Sequence, residues 1–190
     1  MKNLIVMICT SAVTCICLGA CSSAPKSSRL GPEIQAYPAG VILGMQWQYP
    51  IADDEVIFTR VVANITDRQD FGEHDNEEGD GFGIGVGWRR YLDREFSGWH
   101  YGARADVWNL DIDWRNDSGT PLTGNTDIWV LQPAIEGGYS WPFSDGNWSL
   151  DLTASLGAEI NVSQNGDDVG EGAIALLGFT FLYNGELRPQ

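Results

Sequence analysis

The chain has 190 residues, with 11 Lys and Arg against 26 Asp and Glu, and a formal net charge of -15. So acidic a body excludes nucleic acid and anionic headgroups as partners held by charge. Its length suits one folded domain behind a leader.

The N-terminus reads Met1-Lys2-Asn3, then an almost unbroken apolar run from Leu4 to Leu18. One positive charge before an apolar core too short to span a membrane predicts a secretory leader. The run ends in Leu18-Gly19-Ala20-Cys21, which resembles the bacterial lipobox. That resemblance implies a lipoprotein signal peptide over residues 1–20, cut before Cys21. The Cys21 thiolate then takes a diacylglycerol, and the new amino group a further acyl chain such as palmitate. Ser22, in place of aspartate, resembles lipoproteins forwarded to the outer membrane. All four cysteines (Cys9, Cys15, Cys17, Cys21) lie at or before the cut, so the exported chain has no thiols for a disulfide or a Cys-based metal site. Residues 21–32 read as a flexible tether, polar with Pro and Gly, ahead of a domain over 33–190.

From there, two-residue alternation predicts strands. Val41, Leu43, Met45, Trp47 and Tyr49 alternate with Ile42, Gly44, Gln46 and Gln48. Ile57, Val61, Ala63 and Ile65 oppose Arg60, Asn64 and Thr66, and Phe82, Ile84, Val86 and Trp88 alternate with glycines. Between Trp99 and Trp114 the apolar parity flips at Val107-Trp108, which predicts a β-bulge. Trp129, Leu131, Ile135, Tyr139 and Trp141 oppose Gln132, Glu136 and Ser140. Trp148 to Ser163 separates completely into an apolar and a polar set, and Ala173 to Tyr183 repeats the pattern. Seven strands are clear, at 39–50, 55–70, 80–92, 97–115, 127–143, 148–164 and 171–184. An eighth would have to come from Glu33 to Tyr37. Connections alternate between short (51–54, 93–96, 144–147) and long, acidic ones (71–79, 116–126, 165–170), as in transmembrane barrels.

Alternation alone leaves open which face points inward. A membrane barrel turns its apolar face out; a soluble calyx turns it in. Aromatics on the apolar faces gather beside the short turns, including Trp47, Trp88, Trp99, Trp141 and Trp148. A second group (Trp108, Trp114, Trp129) lies towards the long loops. Two belts around an aliphatic band match the girdles of membrane barrels. The polar face then predicts a filled lumen in which Arg60, Arg89 and Arg104 pair with Asp106, Glu136, Asp151 and Glu159.

The segment GFGIGVGWRRYLDREFSGWHYGARADVW (81–108) resembles the hairpins of small Gram-negative outer-membrane barrels of the OmpA/OmpX/OmpW type. The likeness implies an all-β fold: an antiparallel up-and-down β-barrel of about eight strands in the outer membrane. The stretches LQPAIEGGY (131–139), GAEINV (157–162) and VGEGAI (169–174) resemble an uncharacterised subgroup of such barrels, which implies no particular chemistry. The order of loops puts the start of the first clear strand on the long-loop side, opposite a lipid anchored in the inner leaflet.

Three places carry candidate chemistry. The run GDGFGIGVG (79–87) has glycine spacing like a phosphate loop, but a large apolar residue at every second position makes it a strand with a bare inner face. The acidic loop offers Asp70, Glu73, Asp75, Glu77 and Asp80 as oxygen ligands for a hard divalent cation such as calcium, without EF-hand spacing; a solvated surface loop is the competing account. His100 is predicted to face the lumen near Arg104, Ser149 and Asp151, where a Ser–His–acid set is conceivable.

The reading that follows is a non-enzymatic outer-membrane lipoprotein with a small embedded barrel. It would have a structural or interaction role at the cell envelope, with membrane lipid and an envelope protein as partners. No cofactor is expected beyond the lipid on Cys21 and a divalent cation at the acidic loop. Two alternatives stand beside it. One is a lipid-tethered soluble lipocalin-like barrel with a small apolar ligand, whose outer surface would bear Arg60, Asp151 and Glu159. The other is a lipid-modifying enzyme using His100.

Overall fold

The computed structural model describes residues 27–69, 72–117, 122–143 and 146–184. Cys21, the leader and the first part of the tether lie outside these residues, as does Asp70.

Eight antiparallel strands follow one another around a closed barrel. They are β1 (Arg29–Tyr37), β2 (Gly40–Pro50), β3 (Glu55–Gln69), β4 (Asn76–Tyr91), β5 (Gly98–Asn116), β6 (Leu122–Phe143), β7 (Trp148–Asn165) and β8 (Gly172–Tyr183). Each pairs with its chain neighbour, and β1 closes the ring on β8 through pairs such as Leu30 with Tyr183 and Ile34 with Phe179. Closure gives every strand two neighbours.

The eighth strand is the first in the chain, and it begins at Arg29. Four residues assigned to the tether, Arg29 to Pro32, therefore belong to the wall. Their alternation is hard to read because Pro32 and Gly31 interrupt it, yet Leu30 and Ile34 face out while Arg29 and Glu33 face in. Gly31 is obligatory on packing grounds, since a Cβ there would run into the backbone carbonyl of Phe181 on β8. With β1 in place the chain enters the barrel on the short-turn side, beside Gln48 and Tyr183. The wall therefore starts on the short-turn side, not on the long-loop side expected from seven strands.

The predicted bulge at Val107-Trp108 is absent. Strand β5 keeps unbroken register with β4 and with β6 along its length. The parity flip records a change of environment: outward residues are apolar up to Val107, and inward residues are apolar from Trp108 onward. The single register shift between β6 and β7 pairs Trp129 with Ser163 and Val130 with Asn161, leaving Val162 as the extra residue.

The wall is uneven in height. Strands β1, β2 and β8 have 9, 11 and 12 residues, near the length that crosses a bilayer, whereas β5 and β6 have 19 and 22. Strands β4 and β6 also start earlier than predicted, at Asn76 and Leu122, because their first residues extend this tall side. There the outer face is polar (Glu78, Asp80, Asp111, Asp113, Asn125, Asp127), so it lacks the alternation that marks a half-buried strand.

Candidate functional site: the lumen

The outer wall bears a continuous apolar band. Phe82 is 71 % exposed, Ile84 65 % and Ile135 66 %. On the short-turn side the band ends in a girdle of ring pairs: Trp47 on Tyr49, Trp88 on Tyr101, Trp99 on Tyr139, Tyr139 on Trp141 and Trp148 on Tyr183. Trp129 lies at its other border and is exposed. Trp108 and Trp114, expected beside Trp129 in a second girdle, instead point inward and are buried. Counting residues from Trp99 without a bulge puts both on the inner face.

The lumen is stratified. At the short-turn mouth lie Val56, Phe58, Tyr91 and Leu182, all buried, with Arg29 among them. Above them runs a belt of charge. Arg60 reaches Glu33 at 3.1 Å and Asp106 at 3.2 Å. Arg104 holds Asp106 at 3.1 Å and Glu136 at 3.5 Å. Arg89 holds Glu136 and Asp151, each at 2.8 Å. The side chains are almost wholly buried, so each guanidinium depends on its carboxylates. Arg89 also lies over the Phe58 ring, 5.1 Å from its centroid.

Strand β4 makes room for this belt. A Cβ at Gly85 would strike Asp106 and Arg60, one at Gly87 would strike Phe58, and one at Gly83 would strike Trp108. The glycine run is thus a bare inner face on which larger side chains from neighbouring strands lie.

Above the charge the lumen turns apolar. Ile42, Val62, Trp108, Leu110, Ile112, Trp114, Ile128, Val130, Val169, Ile174 and Leu176 form one buried cluster. A last polar layer caps it: Arg68 approaches Glu77 at 3.6 Å and Glu159 at 2.6 Å, and it donates to the Gly170 carbonyl.

Of the residues predicted for the lumen, Arg60, Arg89, Arg104, Asp106, Glu136 and Asp151 share the lower belt. Glu159 sits apart, in the cap with Arg68. Three members are not legible from alternation alone: Glu33 lies on an interrupted strand, Arg29 falls in the stretch that reads as tether, and the pattern assigns Arg68 no acid. For Arg29 and Glu33, the available signal was their alternation with Leu30 and Ile34.

The acidic loop residues do not converge. Glu77 turns inward and accepts from the amides of Glu73, His74 and Gly170, which makes it an anchor between two loops. Glu73, Asp75 and Asp80 are exposed, and Asp75 accepts from the Asp117 amide. Among the described residues no three His, Cys, Asp or Glu are placed to share a metal ion.

His100 is buried in the lumen, but neither ring nitrogen has a hydrogen-bond partner among the described residues. Ser149 and Asp151 lie on β7, two strands from His100, and no Ser–His–acid hydrogen-bond chain is formed among the described residues. The soluble-calyx alternative required Arg60, Asp151 and Glu159 on the outer surface; all three turn inward, and the apolar band faces out.

The architecture is matched among solved structures. Neisserial surface protein A aligns with a TM-score of 0.51 and 10 % identity, over 84 % of this chain and 95 % of that one. The N-terminal β-barrel domain of Pseudomonas aeruginosa OprF aligns at 0.47 and 12 % identity, over 85 % and 100 %. Ail, the attachment invasion locus protein of Yersinia pestis, aligns at 0.42 and 9 % identity, over 83 % and 97 %. This chain is a closed eight-stranded barrel of that kind. No family model matches the sequence, and no curated protein matches it.

Proposed function

We propose that this protein is a non-enzymatic outer-membrane lipoprotein, acylated at Cys21, whose small barrel is embedded in the membrane and serves a structural or interaction role at the cell envelope. The observation that carries the reading is the inverted polarity of the barrel's lower part. Apolar side chains and an aromatic girdle cover the outside, while buried ion pairs fill the inside. In water such a wall would expose a contiguous apolar belt far larger than soluble monomers tolerate. In a bilayer it meets acyl chains, and the closed ring pairs the strands all the way round.

The same stratified lumen argues against a transport role, because charged and apolar layers both block the axis. The polar wall above the band, on β4 to β6, is the surface available to an envelope partner. Entry of the chain at the short-turn mouth agrees with an anchor in the leaflet on that side.

The test separates the barrel from its lipid. Residues 1–21 are replaced by a non-lipoprotein signal, cells are fractionated, membranes are washed in carbonate, and the pellet is run on gels with and without boiling. Retention in the outer membrane with heat-modifiable mobility is expected. Release as a soluble periplasmic protein would overturn the embedding. Labelling of the unaltered protein with radioactive palmitate tests the acylation separately, and loss of label in Cys21→Ala is the expected result.

A further inference from the structure

A group of polar side chains near the short-turn mouth borders the ion-pair belt and shares only Asp151 with it. Ser140 and Asp151 face each other across β6 and β7, Thr153 lies opposite Gly138, and Ser149 opposite Pro142. His100 on β5 lies opposite the same Gly138, and a Cβ there would come within 2.6 Å of the imidazole. All five side chains point inward, and none is more than 4 % exposed. Yet Ser140 Oγ, Ser149 Oγ, Thr153 Oγ1, Asp151 Oδ1 and both nitrogens of His100 lack a hydrogen-bond partner among the described residues. A dry orphaned polar group carries its full desolvation penalty, and so many on three adjacent strands would consume much of a small domain's stability. Shared ordered waters remove that cost.

Arg29 lies in the mouth beneath them, among the buried Val56, Phe58, Tyr91 and Leu182. The Arg29 guanidinium sits 5.2 Å from the Tyr91 ring centroid and 5.0 Å from that of Phe96. It donates to Tyr91 Oη at 2.7 Å, to Gln48 Oε1 and to the Phe96 carbonyl at 3.3 Å. Phe96 holds φ at 52°, which only glycine adopts easily, so the turn accepts strain to present that ring and carbonyl. Tyr91 in turn lies against His100, with centroids 5.2 Å apart.

We propose that the short-turn end of the lumen is a binding chamber for a cluster of ordered water molecules, held by His100, Ser140, Ser149, Asp151 and Thr153, and that Arg29 is its stopper. Above the chamber lie the charge belt and then the apolar Trp108 layer, and the proposed route of exchange is the mouth. Arg29 is the first residue of β1, which makes the stopper continuous with the incoming chain.

His100 is the reporter, since the chain has only 2 histidines. Refolded protein in detergent is treated with diethyl pyrocarbonate, and modification of the His100 peptide is timed by mass spectrometry. In the unaltered protein His100 is expected to react far more slowly than N-acetylhistidine. Arg29→Ala removes three clamp hydrogen bonds and should speed it at least about tenfold through the local opening equilibrium. Arg29→Lys, which keeps charge without the planar fork, should fall between. Fast reaction in the unaltered protein overturns the stopper, as does an unchanged rate in an Arg29→Ala barrel that retains heat-modifiable mobility. The water is tested independently. The nitrogen-15-labelled His100 ring should show magnetisation transfer from water in the unaltered protein, and its absence overturns the hydrated chamber. Thr153→Val removes one hydroxyl at nearly constant shape: a hydrated site predicts an unchanged or lower urea midpoint, whereas a raised midpoint means the hydroxyl was dry and overturns the proposal.

Discussion

The lower and upper parts of this barrel are built on the same eight strands with opposite polarity. Near the short turns the outer face is aliphatic and aromatic, and the lumen holds Arg60, Arg89 and Arg104 with their carboxylates. On the tall side, towards the long loops, the outer face carries Asp80, Asp111, Asp113 and Asp127, and the lumen holds Trp108, Leu110, Ile112 and Trp114. The lower part is organised like a membrane protein and the upper like a soluble β-barrel with a hydrophobic core. Strand β5 passes through both without a break, and only the side-chain pattern changes. Under the proposed embedding the medium outside decides the pattern: acyl chains reward apolar contacts, and water rewards an apolar interior.

If this division is right, substitutions should cost according to their layer. The largest effect belongs to the charge belt. Arg89→Ala leaves Glu136 and Asp151 buried without their shared cation, and should lower stability by about 3–5 kcal/mol, read as the urea midpoint of folded barrel in micelles. Trp108→Ala empties the upper core and should cost about 3–5 kcal/mol by the same measurement. An effect below 1 kcal/mol at Trp108 would mean that the upper cluster is not a packed core.

The outer face offers the sharpest contrast. Ile135→Lys puts a charge in the apolar band and should cost about 2–4 kcal/mol in a bilayer, measured by unfolding from lipid vesicles. Asp111→Lys, on the same wall above the band, should change stability by no more than about 0.5 kcal/mol. Equal costs at the two sites would break the division. Between these falls Gly83→Ala, where the added methyl meets the Trp108 ring; about 1–3 kcal/mol is expected.

Strand positions and the facing of most side chains were legible because alternation is local: from Trp148 to Leu156 each residue's side follows from its neighbour's. Most of the charge belt was legible too, since Arg60, Arg89, Arg104, Asp106, Glu136 and Asp151 all occupy the polar parity of clear strands. Three features were not. Strand β1 is short and interrupted by Gly31 and Pro32, and only its pairing with β2 and β8 makes it a strand. The parity flip at Val107-Trp108 fits a bulge or a change of medium equally well, and the choice depends on whether β4 and β6 keep register beside it.

The third was the choice of partners within the lumen. The sequence by itself determined a run of strands and which residues share a face, because the pleat has a period of two and needs no distant information. Only the tertiary structure decided that the ring closes through β1, that Trp108 and Trp114 fill the lumen, and that Arg68 rather than the lower arginines takes Glu159. Those outcomes depend on strand stagger and wall height, which emerge when all eight strands close together.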